Sequence, residues 1–133
     1  MSKVSQIVLS IPPKAEYVSL VRLTVSGVAH QCGFDIDAIE DIKVCTSEVL
    51  NKVIATEYGE GSDPLVLTFD LMPGSISVQI GGNGLNGETL FASEADEFAL
   101  AILDTLMDEV ILSGVGSAAV RLLKSTERTD SDG

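Results

Sequence analysis

The sequence is poor in several residue types on which whole classes of function depend. Its 133 residues include no tryptophan, one histidine and two cysteines, and only 8 Lys or Arg stand against 20 Asp or Glu. A net charge of −12 opposes close approach to a phosphate backbone, so direct nucleic-acid binding is not expected. The lone His30 has no second histidine with which to share a metal, and Cys32 and Cys45 are too far apart for a Cys-x-x-Cys motif. We therefore expect two reduced thiols and no metal site.

Long apolar runs are also missing. The run that comes nearest to a membrane span, "YVSLVRLTVSGVA", contains Arg22, and the N-terminus has no signal-peptide pattern, so we expect a cytoplasmic protein without a membrane segment. An acidic surface suits a basic protein partner. Hydrophobic residues make up 45% of the chain, which is enough for the core of one domain. We place this domain at residues 1–124 and expect a polar, disordered tail at 125–133.

Hydrophobic periodicity predicts a strand and two helices in the first half of the chain. The strand "VSQIVLSI" stops at Pro12, and a first helix then runs from Lys14 to Gly33. A second helix begins at Asp35 or Asp37, with Glu40 completing a capping box after Asp37, and ends at Gly59 and Gly61. The predicted buried positions of the first helix are Tyr17, Leu20, Val21, Thr24, Val25 and Val28. Those of the second are Ile39, Ile42, Cys45 or Thr46, Val49 and Val53.

Strict alternation predicts a hairpin next, with strands "PLVLTFDL" and "ISVQI" joined by "MPGS". A third helix, capped by Ser93, carries Phe98, Ile102, Leu106 and Val110 at spacings that put them on one face. A last hairpin joins "VILSG" to "AAVRLLK". These elements predict a two-layer α/β sandwich, in which three helices cover one face of a mostly antiparallel, mixed sheet.

A glycine-rich loop lies between the second strand of that hairpin and the third helix. Its stretch Gly82-Asn83-Gly84-Leu85-Asn86-Gly87 fits the pattern Gly-x-Gly-x-x-Gly. A phosphate cradle of this kind needs a helix that opens on the last glycine. Because the third helix is expected about six residues after Gly87, we predict that the glycines form a tight turn, with a residual anion site as the alternative.

Three stretches, "PPKAEYVSLVRLTVSGVA", "IEDIKVCTSEVLNKVIATEY" and "LMDEV", carry a family resemblance. In this order and spacing the chain from about residue 11 to 124 resembles the anti-sigma factor serine kinases of bacterial partner-switching systems, a branch of the histidine-kinase-like (GHKL) ATPase fold. In that family a kinase homodimer holds a sigma factor inactive. An anti-anti-sigma protein of the STAS type releases the sigma factor. Phosphorylation of this anti-anti-sigma protein on serine by the kinase prevents the release.

The resemblance implies a catalytic pair on the second helix. Glu48 matches the family's glutamate base, whereas the asparagine that holds Mg²⁺ four residues later corresponds to Lys52, and Asn51 lies one residue early. An ammonium cannot coordinate a metal. Lys52 is expected to form an exposed pair with Glu48, or alternatively to hold a phosphate as a point charge.

The resemblance also places two nucleotide-binding elements in the second half. The Asp-x-Gly that binds adenine corresponds to residues 82–84, where Gly84 matches, Gly82 replaces the aspartate and Asn83 is a neighbouring amide. The glycine-rich phosphate turn corresponds to "EFAL", where Glu97 and Ala99 replace the glycines. Unless shifted asparagines rebuild the site, we expect neither ATP nor Mg²⁺ as a cofactor.

These changes predict a regulator that binds a sigma factor or an anti-anti-sigma protein and whose ATP binding and kinase activity are lost or impaired. Arg22 falls at the place of the family arginine that contacts both partners; alternatively, it lies at the rim of the apolar stripe and extends to water. One alternative function is an active serine-protein kinase with Glu48 as base and Lys52 as phosphate clamp. Another is a module that only dimerises through its sheet.

Overall fold

The computed structural model describes residues 5–56, 63–116 and 118–126. Five strands and four α-helices follow one another in the order β1, α1, α2, β2, β3, α3, α4, β4, β5. The strands are β1 Ser5–Ile11, β2 Leu65–Met72, β3 Ser75–Gly81, β4 Glu109–Leu112 and β5 Val120–Ser125. The helices are α1 Val18–Gln31, α2 Ile36–Ala55, α3 Gly87–Leu90 and α4 Glu97–Leu106, and 3-10 turns precede α1 at Ala15–Tyr17 and α4 at Glu94–Asp96.

The strands form one sheet in the order β1-β2-β3-β5-β4. Every pairing between the described strands is antiparallel, where the sequence prediction allowed for a mixed sheet. The two-layer α/β fold itself is confirmed. Side chains alternate along each central strand, so one face is buried beneath the helices and the other is only half-buried, as the period of two requires. The buried face carries Leu65, Leu67, Phe69, Leu71, Ile76, Val78, Ile80, Val120 and Leu122.

Helix α1 buries Val21, Val25, Val28 and Ala29 against the sheet and α2. Leu20 belongs to the predicted stripe but is exposed. The helix ends as predicted, because Gly33 has a φ of +95°, a left-handed conformation that glycine adopts without steric cost.

Helix α2 is capped by Asp35, whose carboxylate accepts a hydrogen bond from the Ala38 amide at 2.9 Å. The predicted capping box from Asp37 to Glu40 is wrong, since Glu40 pairs with Lys43 at 2.9 Å. The predicted buried positions from Ile42 to Val53 are confirmed, and Cys45 and Thr46 are both buried. The predicted stop at Gly59 and Gly61 lies outside the described residues.

The predicted third helix is divided into two parts. Ser93 does act as a cap, but of the 3-10 turn, and α4 ends at Leu106, so Val110 lies in β4. Phe98, predicted to face the core, is 78% exposed, and Leu103 is the fully buried residue of α4. The one-turn helix α3 was not predicted. None of the helices in the described ranges is both long and apolar enough to cross a membrane.

Candidate functional site

An ion pair between α2 and the start of α4 lies at the centre of the candidate site. The Lys52 ammonium is 2.6 Å from the Asp96 carboxylate, across 44 residues of sequence. This is the ion pair that Lys52 forms among the described residues, so the predicted pair with Glu48 is wrong. The side chain of Asp96 is 9% exposed and that of Lys52 is 31% exposed, so the carboxylate is buried while the lysine stays partly in contact with water. The ion pair connects α2 to the N-terminus of α4.

Asp96 has a second structural role. Its other carboxylate oxygen accepts a hydrogen bond from the Ser93 amide at 3.1 Å, and the Ser93 hydroxyl accepts one from the Ala95 amide, which forms a capping box. The hydrogen bond from Lys52 lowers the pKa of Asp96, aided by the Ser93 amide and opposed by burial. Sequence reasoning missed Asp96 as a site residue, although the spacing Ser93-x-x-Asp96 is that of a capping box.

The glycine-rich loop makes a turn and then a short helix. The Leu85 amide donates to the Gly82 carbonyl at 3.1 Å, and Gly84 has a φ of +82°. Contrary to the prediction, a helix does open on Gly87, but it is only one turn long. The Glu88 amide donates to Asn86 at 2.9 Å and to the Ser113 carbonyl at 3.1 Å, so the protein already satisfies this donor.

The rest of the loop packs on the core. Leu85, Leu90 and Phe91 are all buried and belong to the main hydrophobic cluster. Asn83 lies at the surface, where its side-chain amide donates to Asp63 at 2.7 Å. The segment between β3 and α4 is therefore held by apolar contacts rather than left open.

Comparison with known proteins places this chain in a family. A family model described as a histidine kinase-like ATPase domain matches residues 11–124. The chain belongs to this family. It is 29% identical to the serine-protein kinase RsbW of Bacillus mycoides (strain KBAB4) over 150 aligned positions, which cover the whole chain and 94% of that protein. It is 35% identical to RsbW of Bacillus thuringiensis (strain Al Hakam) over 86 residues, covering 65% of the chain and 54% of that protein.

A solved structure with the same fold contains the RsbU and RsbW domains of Rv1364c from Mycobacterium tuberculosis. It superposes with a TM-score of 0.64 at 17% identity and covers 91% of the chain, which matches 31% of that longer protein. It confirms the fold, and the RsbW relatives with the family model confirm the predicted resemblance to the anti-sigma factor kinase branch of the histidine kinase-like ATPase family.

The structure brings together only part of the predicted nucleotide set. Glu48 and Lys52 lie one turn apart on α2, and Lys52 reaches the front of α4, where Glu97 is exposed and Ala99 is half-buried. Asn51 is exposed, so α2 is not rotated to bring its amide inward in place of Lys52. The 82–84 turn contributes backbone and the surface amide of Asn83.

These residues do not fit a magnesium nucleotide. The position of the family's metal-binding asparagine holds an ammonium that is already paired with a buried carboxylate, and Gly82 has no side-chain acceptor for an adenine amino group. Within the described ranges, no three His, Cys, Asp or Glu side chains are grouped closely enough to hold a metal. The arrangement can join two helices, and we assign no chemical step to it.

Arg22 joins α1 to α2. Its guanidinium donates to the Ser47 hydroxyl at 2.7 Å and to the Lys43 carbonyl at 3.5 Å, while Ser47 donates to the same carbonyl at 2.8 Å. Arg22 is half-buried, so it is neither a free surface charge nor a fully enclosed one. Its role in partner binding stays a prediction.

Both cysteines are buried as free thiols. Burial, reinforced by the negative charge of Asp41, raises the pKa of Cys45 to about 12. Burial also raises the pKa of Cys32. A protonated, enclosed thiol is a poor nucleophile, so these cysteines act as core residues.

Proposed function

We propose that the chain is an anti-sigma-factor-like regulator of a bacterial partner-switching system, which binds a sigma factor or an anti-anti-sigma protein without ATP-driven phosphorylation. The observation that carries this proposal is the Lys52–Asp96 ion pair. It puts a positive charge where the family resemblance requires a magnesium ligand, and it uses that charge to hold α4. Binding surfaces depend on other residues, so they can persist when the nucleotide site is changed.

The glycine-rich loop supports the same proposal. Its buried leucines and phenylalanine tie the segment before α4 to the core, and the Glu88 amide is satisfied by Asn86 and Ser113. A segment fixed in this way gains no order from a nucleotide. We therefore propose a fold that is complete without ATP and Mg²⁺.

Calorimetric titration of the purified chain with ATP and ADP, with and without Mg²⁺, tests the loss of nucleotide binding. We expect no binding heat up to millimolar nucleotide. Micromolar binding that a chelator abolishes would contradict the proposal and favour a working kinase.

The partner surface is proposed on α1 around Arg22, and the same helix also exposes Leu20 and Leu23. A guanidinium has five N–H donors, more than its contacts with α2 use, so it can also bind a partner carboxylate. The test is the affinity for a sigma factor and a STAS-type protein of the same organism, measured without nucleotide. We expect Arg22→Ala to weaken binding roughly tenfold or more.

Ser47→Ala is the matched control for that experiment. It removes the side chain to which Arg22 donates within the fold but keeps the charge of Arg22. We expect its affinity to stay close to that of the wild type. If both variants lose affinity equally, Arg22 acts only by joining α1 to α2, and the proposed surface is wrong.

A homodimer through the open face of the sheet is part of the proposal. This face carries Val8, which is exposed on β1, and a cavity of about 630 Å³ lined in part by Asp70, Ser77 and Arg121. The Nε of Arg121 and the hydroxyl of Ser77 are buried without a hydrogen-bond partner among the described residues. Light scattering should give twice the chain mass, and Val8→Glu should reduce it towards the monomer.

The retained glutamate favours one alternative, an active serine-protein kinase. Glu48 occupies the family position of the base, half-buried on α2. This alternative requires transfer of the γ-phosphate to a serine of the STAS-type partner and loss of transfer in Glu48→Ala. The absence of transfer at millimolar ATP would exclude it.

A further inference from the structure

The outer face of α4 is an unusual surface because its most prominent side chain is aromatic. Phe98 is 78% exposed, the highest exposure of any large hydrophobic side chain in the described ranges. The other exposed positions of α4 are Glu97, Ala101, Asp104 and Thr105. Since helical residues three and four apart share a face, Phe98 and these residues form one continuous strip, which Glu94 extends by one turn.

This strip is acidic and has no basic residue of its own. Glu94, Glu97 and Asp104 are exposed on it, and the sequence contains no Lys or Arg from residue 53 to residue 120. The cation that reaches this region from α2, Lys52, is paired with the buried Asp96. The carboxylates around Phe98 are therefore not neutralised by neighbours on their own segment.

The ion pair also holds the strip in place. Between Phe91 and Leu103, Asp96 is the only buried residue, and every residue of that interval is described. The first turn of α4 is thus held by the Lys52–Asp96 pair together with Ala99 and Leu100, which pack against the core, and Phe98 follows Asp96 by two residues. A side chain presented from a fixed helix loses little freedom on binding, because an aromatic ring has only two rotatable bonds.

We propose that this strip, formed by Glu94, Glu97, Phe98, Ala101 and Asp104, is a docking surface for a basic protein segment that receives Phe98 in an apolar socket flanked by Lys or Arg. Charge complementarity selects this occupant. Nucleic acid is a polyanion and is repelled, and a second copy of the chain docked through the same strip would bring like carboxylates together. The surface is separate from the one proposed around Arg22 on α1.

The test uses a synthetic amphipathic peptide of leucine and lysine, titrated into the full-length, ¹⁵N-labelled chain. Its leucine face offers a socket for an aromatic ring and its lysines offer the charge. We expect the largest amide shifts at residues 97–101, an affinity that falls with added salt, and no binding of a matched leucine and glutamate peptide. Shifts centred on another part of the chain would overturn the proposal.

Two serine variants make the test specific to the site. Phe98→Ser removes the proposed anchor, whereas Ile36→Ser removes an apolar side chain that is 77% exposed at the start of α2. Because both side chains are exposed, neither change should alter the melting temperature by more than about 2 °C. We expect Phe98→Ser to weaken peptide binding about tenfold and Ile36→Ser to leave it within about twofold. Equal effects of the two variants, or no effect of Phe98→Ser, would show that the peptide binds only through the net charge of the chain, and would overturn the proposal.

Discussion

Replacement of Gly87 by alanine tests how the glycine-rich loop is packed. A Cβ atom at this position would lie 1.9 Å from the Ala119 carbonyl oxygen and 2.8 Å from that of Ser113. Both are backbone atoms of the segment that joins β4 to β5, which is closed by the hydrogen bond from Ser113 to Ala119 at 2.8 Å. A flexible side chain cannot move aside to relieve this contact. The backbone would have to move by roughly 1 Å or more to restore an ordinary separation.

Insertion of a methylene into a well-packed region costs about 1–3 kcal/mol. We expect Gly87→Ala to lie near the upper end, at about 3 kcal/mol, because hydrogen-bonded backbone must shift. For a chain of this length, each kcal/mol lowers the melting temperature by roughly 3–5 °C. Thermal unfolding followed by circular dichroism should therefore show a decrease on the order of 10 °C.

Gly27→Ala is the control, because it makes the same chemical change in the exposed middle of α1. A Cβ atom there has no heavy atom within 4 Å, so only helix propensity applies. Alanine is favoured over glycine by about 1 kcal/mol, so this variant should melt at a higher temperature than the wild type. The reasoning is refuted if Gly87→Ala melts within about 2 °C of the wild type. Gly87 would then be free of packing, and an anion site at α3 would again have to be considered.

Three further predictions follow from buried groups. Because Lys52 lowers the pKa of Asp96, the pair stabilises the fold above the pKa of about 3.9 of an unfolded aspartate and loses this effect as the pH falls through the lower, folded value. In urea titrations, the stability difference between wild type and Lys52→Met should thus be full above about pH 5 and shrink below about pH 4. Leu103→Ala should cost about 2–5 kcal/mol in the same assay. The thiol of Cys45 should resist iodoacetamide at pH 8 until the chain unfolds, because its pKa is about 12.

The sheet could be predicted from sequence because its strands have one buried face. Leu65, Leu67 and Phe69 alternate with half-buried residues, and the same period continues after the turn at Gly74, which has a φ of +83°. Periodicity also identified α1 and α2, since each has one apolar stripe interrupted by polar residues. Local pattern was enough where one face of an element is polar.

The buried face of α4 could not be predicted in this way. Residues 98–103 are all apolar, so the sequence does not distinguish a face with Phe98 and Ile102 from one with Leu103. The packing of α4 on α2 decides between them and leaves Phe98 outside. The end of the helix was misplaced for a related reason, because the apolar residues of β4 continue the helical spacing.

The ion pair of the candidate site could not be read from spacing either. Glu48 and Lys52 are four residues apart, which predicts a pair on the helix surface, but a partner 44 residues away is selected by tertiary packing. The sequence did contain one indication of this pairing, since no Lys or Arg occurs from residue 53 to residue 120 to pair with Asp96 from its own segment. Several carboxylates compete for the single cation Lys52, and the buried carboxylate of Asp96 is the one that pairs with it.

The same pair gives a reason why an anion would be excluded from the space between α2 and α4. A phosphate that reaches Lys52 must replace Asp96 as its partner, which leaves a buried carboxylate unpaired beside a second negative charge. Asp96→Asn keeps the shape of the side chain and removes that competitor. We therefore expect ATP or pyrophosphate at about 10 mM to raise the melting temperature of Asp96→Asn by a few degrees, as for a Kd on the order of 1 mM, and to leave the wild type unchanged.

Each protein is its own reference in this experiment, so any loss of stability caused by Asp96→Asn itself does not affect the result. Sodium chloride at matched ionic strength controls for screening of the net charge of −12. If ATP stabilises neither protein, the ion pair is not what excludes the anion, and the packing of the buried residues Leu85, Leu90 and Phe91 becomes the next feature to test. If ATP stabilises the wild type as well, Lys52 already exchanges Asp96 for phosphate, and the pair is a gate to a nucleotide site rather than its replacement.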